Sequence, residues 1–225
     1  MKNSIMIIAV FVSLVSYTSC KKDNSNGAGS IPQVSSMLRA SSNSTVLNSI
    51  SKDSLSWTAA KAQATLVKFE AKKSGSEIEF KSNAQQAIDL FANTPVAGNL
   101  NIPPGTYDEV ELKTNLEALS GQPSLELKGS FSNNGIAIPV SFQSFESLEV
   151  KSEKNNVTID PGSNYNLTTI IDLNLVLGGI SASDLAKAER VNGEIRITSS
   201  VNGNLYKRIT ENLNNLEDEC EVHRH

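Results

Sequence analysis

Apolar and polar residues alternate one for one over most of this chain, and that period limits what it can fold into. Val67, Phe69 and Ala71 alternate with Lys68, Glu70 and Lys72. Ile78 and Phe80 stand between Glu77, Glu79 and Lys81, and Val110 and Leu112 between Glu109, Glu111 and Lys113. Leu125 and Leu127 flank Glu126. Ile136, Ile138, Val140 and Phe142 make the cleanest stripe, and Leu148 and Val150 alternate with Glu149 and Lys151. Ile171, Leu173, Leu175 and Leu177 repeat the pattern, as do Ile195 and Ile197. Successive strand side chains point to opposite faces, so one apolar and one wet face predicts antiparallel sheet.

Turn chemistry separates the runs. Gly75-Ser76, Pro103-Pro104-Gly105, Asn133-Asn134-Gly135, Asp160-Pro161-Gly162 and Asn202-Gly203 supply the special backbone angles that reversals need. Many short strands at this spacing predict an all-β antiparallel sandwich with at most one or two short helices. One such helix is expected over Asp184-Leu185-Ala186-Lys187-Ala188, capped by Ser183. The segment 205–213 has Leu205, Ile209 and Leu213 at helical spacing, but the Asn-Gly before it favours a final strand.

The N-terminus reads as an export signal. Lys2 precedes an almost wholly apolar run at 5–15, followed by small residues up to Ser19. The run is too short for the ~20 residues of a membrane-spanning helix. Tyr17-Thr18-Ser19-Cys20 resembles a bacterial lipobox, in which the cysteine is acylated and becomes the new N-terminus. The resemblance implies a lipid on Cys20 and a Gram-negative envelope address, with the membrane as the first partner. Residues 20–52, rich in Ser, Asn and Gly, are expected to form a flexible tether. A sandwich domain over 53–216 and an acidic, His-containing tail over 217–225 complete the expected division.

Removing residues 1–19 takes away one Lys of the 20 basic residues and none of the 24 acidic ones, leaving a net charge of −5 (19 minus 24). A mildly acidic surface offers no phosphate-neutralising patch, which argues against nucleic acid as a partner. With Cys20 acylated, Cys220 has no internal disulfide partner. Its acidic neighbours disfavour the thiolate that catalysis requires, so it reads as a tail thiol.

The stretch Leu100-Asn101-Ile102-Pro103-Pro104-Gly105-Thr106-Tyr107-Asp108-Glu109-Val110 carries a second resemblance. It is similar to uncharacterised exported lipoprotein domains in which a Pro-x-Gly-x-Tyr turn enters a charged alternating strand. That resemblance implies an immunoglobulin- or transthyretin-like sandwich and passes on no chemistry.

No catalytic set emerges. His223 and His225, the only histidines, lie in the tail and cannot complete a Ser-His-Asp triad. Their spacing suits a metal clip, but nothing beside them orients the rings. Glu77/Glu79 and Glu109/Glu111 are carboxylate pairs on one strand face, not a pair facing across a cleft as a glycosidase needs. Asp23-Asn24-Ser25-Asn26-Gly27 lacks the closing glutamate of a calcium loop. Asp53-Ser54-Leu55 resembles the short O-glycosylation sequon of some Gram-negative exported proteins, which makes Ser54 a candidate modification site. Trp57, Tyr107 and Tyr165 are the candidate ligand-binding aromatics, because aromatic faces stack on sugars. Each has a structural alternative: Trp57 in the core, and Tyr107 as a corner residue bonding nearby backbone.

The expectation is a non-enzymatic, cofactor-free outer-membrane lipoprotein that binds carbohydrate or an envelope protein. The alternative is a structural subunit with no ligand of its own. The two differ in what they expose: an aromatic patch for the first, a long unblocked strand edge for the second.

Overall fold

One long strand organises the molecule. The computed structural model describes residues 31–41, 44–48, 53–216 and 218–225. The expected signal peptide and Cys20 lie outside the described residues. The first strands are β1 (Gln33–Ala40), β2 (Ser44–Asn48), β3 (Asp53–Lys73), β4 (Ser76–Asp89), β5 (Val96–Asn101) and β6 (Gly105–Leu116). Then come β7 (Leu125–Asn133), β8 (Ile136–Ser144), β9 (Leu148–Ile159) and β10 (Tyr165–Ile171). Helices α1 (Leu173–Val176) and α2 (Ala182–Ala186) precede β11 (Arg190–Val191) and β12 (Glu194–Ile197). Helix α3 (Gly203–Asn214), β13 (Asp218–Glu219) and β14 (Glu221–Arg224) end the chain.

Strand β3 has 21 residues and serves two neighbourhoods. Its first half lies between β2 and β7, its second half between β4 and β6. The pairing of β3 with β7 shifts register between Trp57 and Ala59. There β7 approaches so closely that a side chain at Gly129 would strike the Ser56 carbonyl, so only glycine fits.

The large sheet runs β11-β12-β8-β7-β3-β6-β9-β13, with β2 and β4 also on β3. A four-stranded sheet, β14-β10-β1-β5, packs against it. The core between them takes Phe69, Tyr107 and Leu112 from one layer and Leu38, Leu100 and Leu167 from the other. Each such side chain contributes about 1.5–3 kcal/mol by leaving water. One buried polar contact joins the layers, Ser152 Oγ to Thr169 Oγ1 at 2.6 Å. The helices help close the β7–β8–β12 part. Tyr206 of α3 stacks on Phe142 with ring centres 5.7 Å apart and meets Ser144 Oγ at 3.1 Å.

The expected all-β sandwich is therefore present, with differences of detail. Its sheets are mixed rather than purely antiparallel: β1–β10, β8–β12 and β9–β13 pair in parallel. The described residues form three short helices, not one or two. The strand expected through Leu177 stops at Ile171, and Leu173 begins α1, because Asp172 accepts the Asn174 backbone N–H and caps a helix. The final strand expected at 205–213 is α3. Leu205, Ile209 and Leu213 share its buried face, and the i, i+4 spacing outweighed the Asn-Gly signal. The helix expected at 184–188 begins at Ala182, capped by Ser181 rather than Ser183.

Both expected domain boundaries move outward. Residues 33–40, read as tether, form β1 at the centre of the smaller sheet, between β10 and β5. Val34 and Leu38 are fully buried there. Pairing on both sides supplies the stability that the Ser-rich composition concealed. The tail 217–225 likewise contains β14, paired on β10, with an exposed Arg224–Asp160 ion pair at 2.6 Å beside it. Cys220, read as a tail thiol, is buried.

Candidate functional site

The hairpin joining β3 to β4 turns on two residues, Ser74 and Gly75, both with positive φ (50° and 79°). A two-residue turn of this hand makes its flanking residues, Lys73 and Ser76, a hydrogen-bonded pair. Pairing character then alternates along the ladder. Ile78 and Phe80 direct their backbone groups toward β3, whereas Glu77, Glu79, Lys81 and Asn83 direct theirs away from it. Among the described residues, β4 pairs with β3 alone. Its outer edge over 76–83 is open, without proline or bulge.

The register of β4, β3, β6 and β9 lines up their outward side chains in rows. Glu79, Glu70, Glu111 and Glu153 stand directly opposite one another across the four strands. Two residues along, Lys81, Lys68, Lys113 and Lys151 form a matching row. A third row reads Glu77, Lys72, Glu109 and Asn155. Like charges directly opposite each other are unfavourable. Diagonal and along-strand contacts between rows offset this. Lys113 bridges Glu70 at 2.5 Å and Glu111 at 2.8 Å, Lys81 pairs with Glu79 at 2.6 Å, and Lys72 with Glu109 at 2.8 Å.

Lys113 is the centre of this network, its side chain only 14% exposed. Burial opposes its charge, but the hydrogen bonds it donates to Glu111 and Glu70 outweigh that and hold its pKa above the usual lysine value. The bond from Lys113 in turn holds the Glu70 carboxyl below the usual carboxylate range. A carboxyl fixed in its anionic form is the opposite of the raised-pKa general acid that glycoside hydrolysis needs. The shallow groove here, about 410 Å³, is lined by Glu70, Lys72, Glu77, Glu79, Glu109 and Glu111. It is an ion-pair lattice. No group of three or more His, Cys, Asp and Glu among the described residues is placed to hold a metal ion.

The three aromatic candidates do not line a binding surface, which corrects the sequence expectation. Trp57, Tyr107 and Tyr165 are all buried. Their rings carry more apolar area than the smaller core residues around them and are drawn inside. Tyr107 is the corner residue that the sequence offered as its alternative: its hydroxyl donates to the Pro103 carbonyl at 2.5 Å, and its ring meets Phe69 edge-on at 5.7 Å. Tyr165 closes the turn before β10, its hydroxyl accepting from the Asp160 N–H at 2.9 Å. Ser54 sits half-buried within β3, between β2 and β7, and its sequon neighbours Asp53 and Leu55 are buried. Exposed His223 lies 3.4 Å from Glu221 on β14.

Sequence reasoning named Glu77, Glu79, Glu109 and Glu111 but assigned them to an ordinary solvated face. It missed the lysine row and the place of Glu153. The sequence holds only a trace of them, the recurrence of Glu and Lys two residues apart (Lys68/Glu70, Glu79/Lys81, Glu111/Lys113, Lys151/Glu153), which supplies the charges but not the registers that bring them into rows.

Comparison with known families gives one match: the model of a domain of unknown function, DUF4382, matches residues 20–183. The matched span takes in all four strands of the charged face and ends within α2. No curated protein and no solved structure matches the chain.

Proposed function

The chain belongs to the DUF4382 family, and from that premise we propose that it is a non-catalytic lipoprotein of a Gram-negative cell envelope, tethered to the outer membrane by lipid on Cys20 and acting as a protein-interaction module. Support for the anchor comes from the lipobox-like Tyr17-Thr18-Ser19-Cys20 after an apolar run too short to span a bilayer. Among the described residues, no helix is long and apolar enough to cross a membrane.

The observation that carries the interaction reading is the open edge of β4 beside the charge rows. An unpaired edge offers backbone donors and acceptors to an incoming strand, and alternate side chains select the partner. Burial of Trp57, Tyr107 and Tyr165 removes the three stacking platforms that the sequence offered for a sugar, and the open edge favours a protein ligand. The same edge favours the second reading, a structural subunit of an envelope assembly, since both readings work through strand-edge contact.

Photo-crosslinking in intact cells tests the edge. A photoreactive side chain at Glu79 is expected to give a discrete protein adduct, and one at exposed Asn204, remote from the edge, is not. Absence of any adduct from Glu79 under conditions where the chain is present and folded rules the edge out as the contact.

A further inference from the structure

The charge rows cost the isolated sheet energy that a checkerboard would not. Glu79, Glu70, Glu111 and Glu153 face one another across strands, as do Lys81, Lys68, Lys113 and Lys151. If the same residues alternated in sign across strands, each opposite pair would be favourable rather than unfavourable. The ion pairs between rows offset part of that cost within the sheet, and a second sheet that continues the rows with the opposite sign adds favourable pairs at the β4 edge.

The geometry points to a second copy of this chain as the occupant of the β4 edge, paired antiparallel about a two-fold axis that sets Phe80 opposite Phe80 of the partner copy. This deepens the interaction reading above by naming the partner. In this register Glu79 meets Lys81 of the other copy and Lys81 meets its Glu79. The four-glutamate row of one copy runs directly into the four-lysine row of the other, and the converse holds on the far side of the axis. Shifting the centre to Ile78 sets Glu77 against Glu79, and shifting it to Glu79 sets that residue against itself. A centre at Ser82 leaves Lys81 facing Asn83. Phe80 is the centre at which both junction pairs are opposite in sign and no like charges meet.

The backbone agrees. Glu77, Glu79, Lys81 and Asn83 carry the outward-pointing groups, and with Phe80 on the axis Glu79 pairs with Lys81 and Glu77 with Asn83, each exchanging both bonds. The inward side chains agree as well. Ile78 and Phe80 are only partly buried where they pack on the core, and the partner strand would cover them. Phe80 would then meet its symmetry mate in the closer, non-hydrogen-bonded kind of pair. A two-fold interface of this kind uses one patch twice and closes on itself, so the assembly stops at two.

A charge swap tests the register. The full chain, purified from membranes with non-ionic detergent micelles in excess, is expected to sediment as a dimer at micromolar concentration. Glu79→Lys alone and Lys81→Glu alone each place like charges at both junctions and should weaken the dimer about tenfold or more. An equimolar mixture of the two variants restores opposite charges at both junctions and should recover the dimer. Glu79→Pro removes an outward-facing N–H and the exposed Glu79–Lys81 ion pair but no backbone bond to β3, so it should keep the fold by circular dichroism and sediment as a monomer. A wild-type chain that stays monomeric, or variants that do not complement on mixing, overturns the proposal. A monomer that still yields a photo-adduct with a different protein from Glu79 would overturn self-pairing and leave the edge-contact reading standing.

Discussion

Glu70 and Glu111 stand directly opposite one another on neighbouring strands, and one ammonium group, that of Lys113, reaches both carboxylates. Replacing Lys113 by Met keeps the aliphatic stem and removes the charge, leaving the two carboxylates to repel. The expected loss of stability at pH 7 is about 1–2 kcal/mol. Its pH dependence follows from the two shifts. Glu70 is held low, so its share is present above the ordinary carboxylate pKa and is lost as pH falls through the folded value. Lys113 is held high, so its share is present below the ordinary lysine pKa and is lost as pH rises through the folded value. The gap between wild type and variant should be widest between about pH 5 and 10 and should shrink toward pH 3. Urea unfolding at pH 7 and pH 3 measures it, and an equal gap at both contradicts the ion-pair account.

Strand β1 makes the N-terminal boundary testable. Leu38 is fully buried at the centre of the smaller sheet, whereas Ile136, at the start of β8, is 69% exposed. Leu38→Ala should cost about 2–5 kcal/mol, the range for a core leucine. Ile136→Ala should change stability by no more than about 0.5 kcal/mol. Equal, small effects in denaturant titrations would mean that residues 33–40 are tether after all.

Burial of Cys220 sets its reactivity. The residue has no exposed surface and lies between β13 and β14, its backbone N–H donating to the Glu153 carbonyl at 3.0 Å. In a Cys20→Ala chain, Cys220 should react with a bulky thiol reagent far more slowly than a free thiol in solution. Its rate should rise in denaturant as the C-terminal strands open. Immediate stoichiometric labelling in native buffer would contradict the buried placement.

What the sequence made legible was whatever a single strand states about itself. The stretches 67–72 of β3, 77–81 of β4, 109–113 of β6 and 148–151 of β9 were readable because each alternates one for one, and the corner role of Tyr107 was legible as the alternative to a ligand-binding one. Strand β1 was not, because Val34, Met37 and Leu38 sit among serines and its stability comes from β10 and β5, distant in the chain. Leu173, Leu175 and Leu177 mimicked a strand at spacing two, and only the Asp172 cap reveals the helix. The charge rows were hidden for a deeper reason. That Glu70 meets Glu79, Glu111 and, one strand further, Glu153 depends on three strand registers at once, and no local pattern encodes them. The open edge of β4 is likewise a property of topology.

Attachment through Cys20 is the premise on which the envelope role depends, and metabolic labelling with an alkyne-bearing fatty acid tests it most directly. The account predicts that the wild-type chain takes up the label and sediments with membranes, and that Cys20→Ala loses the label and appears in the soluble fraction. A wild-type chain without label, or a Cys20→Ala chain that is still acylated and membrane-bound, would contradict it.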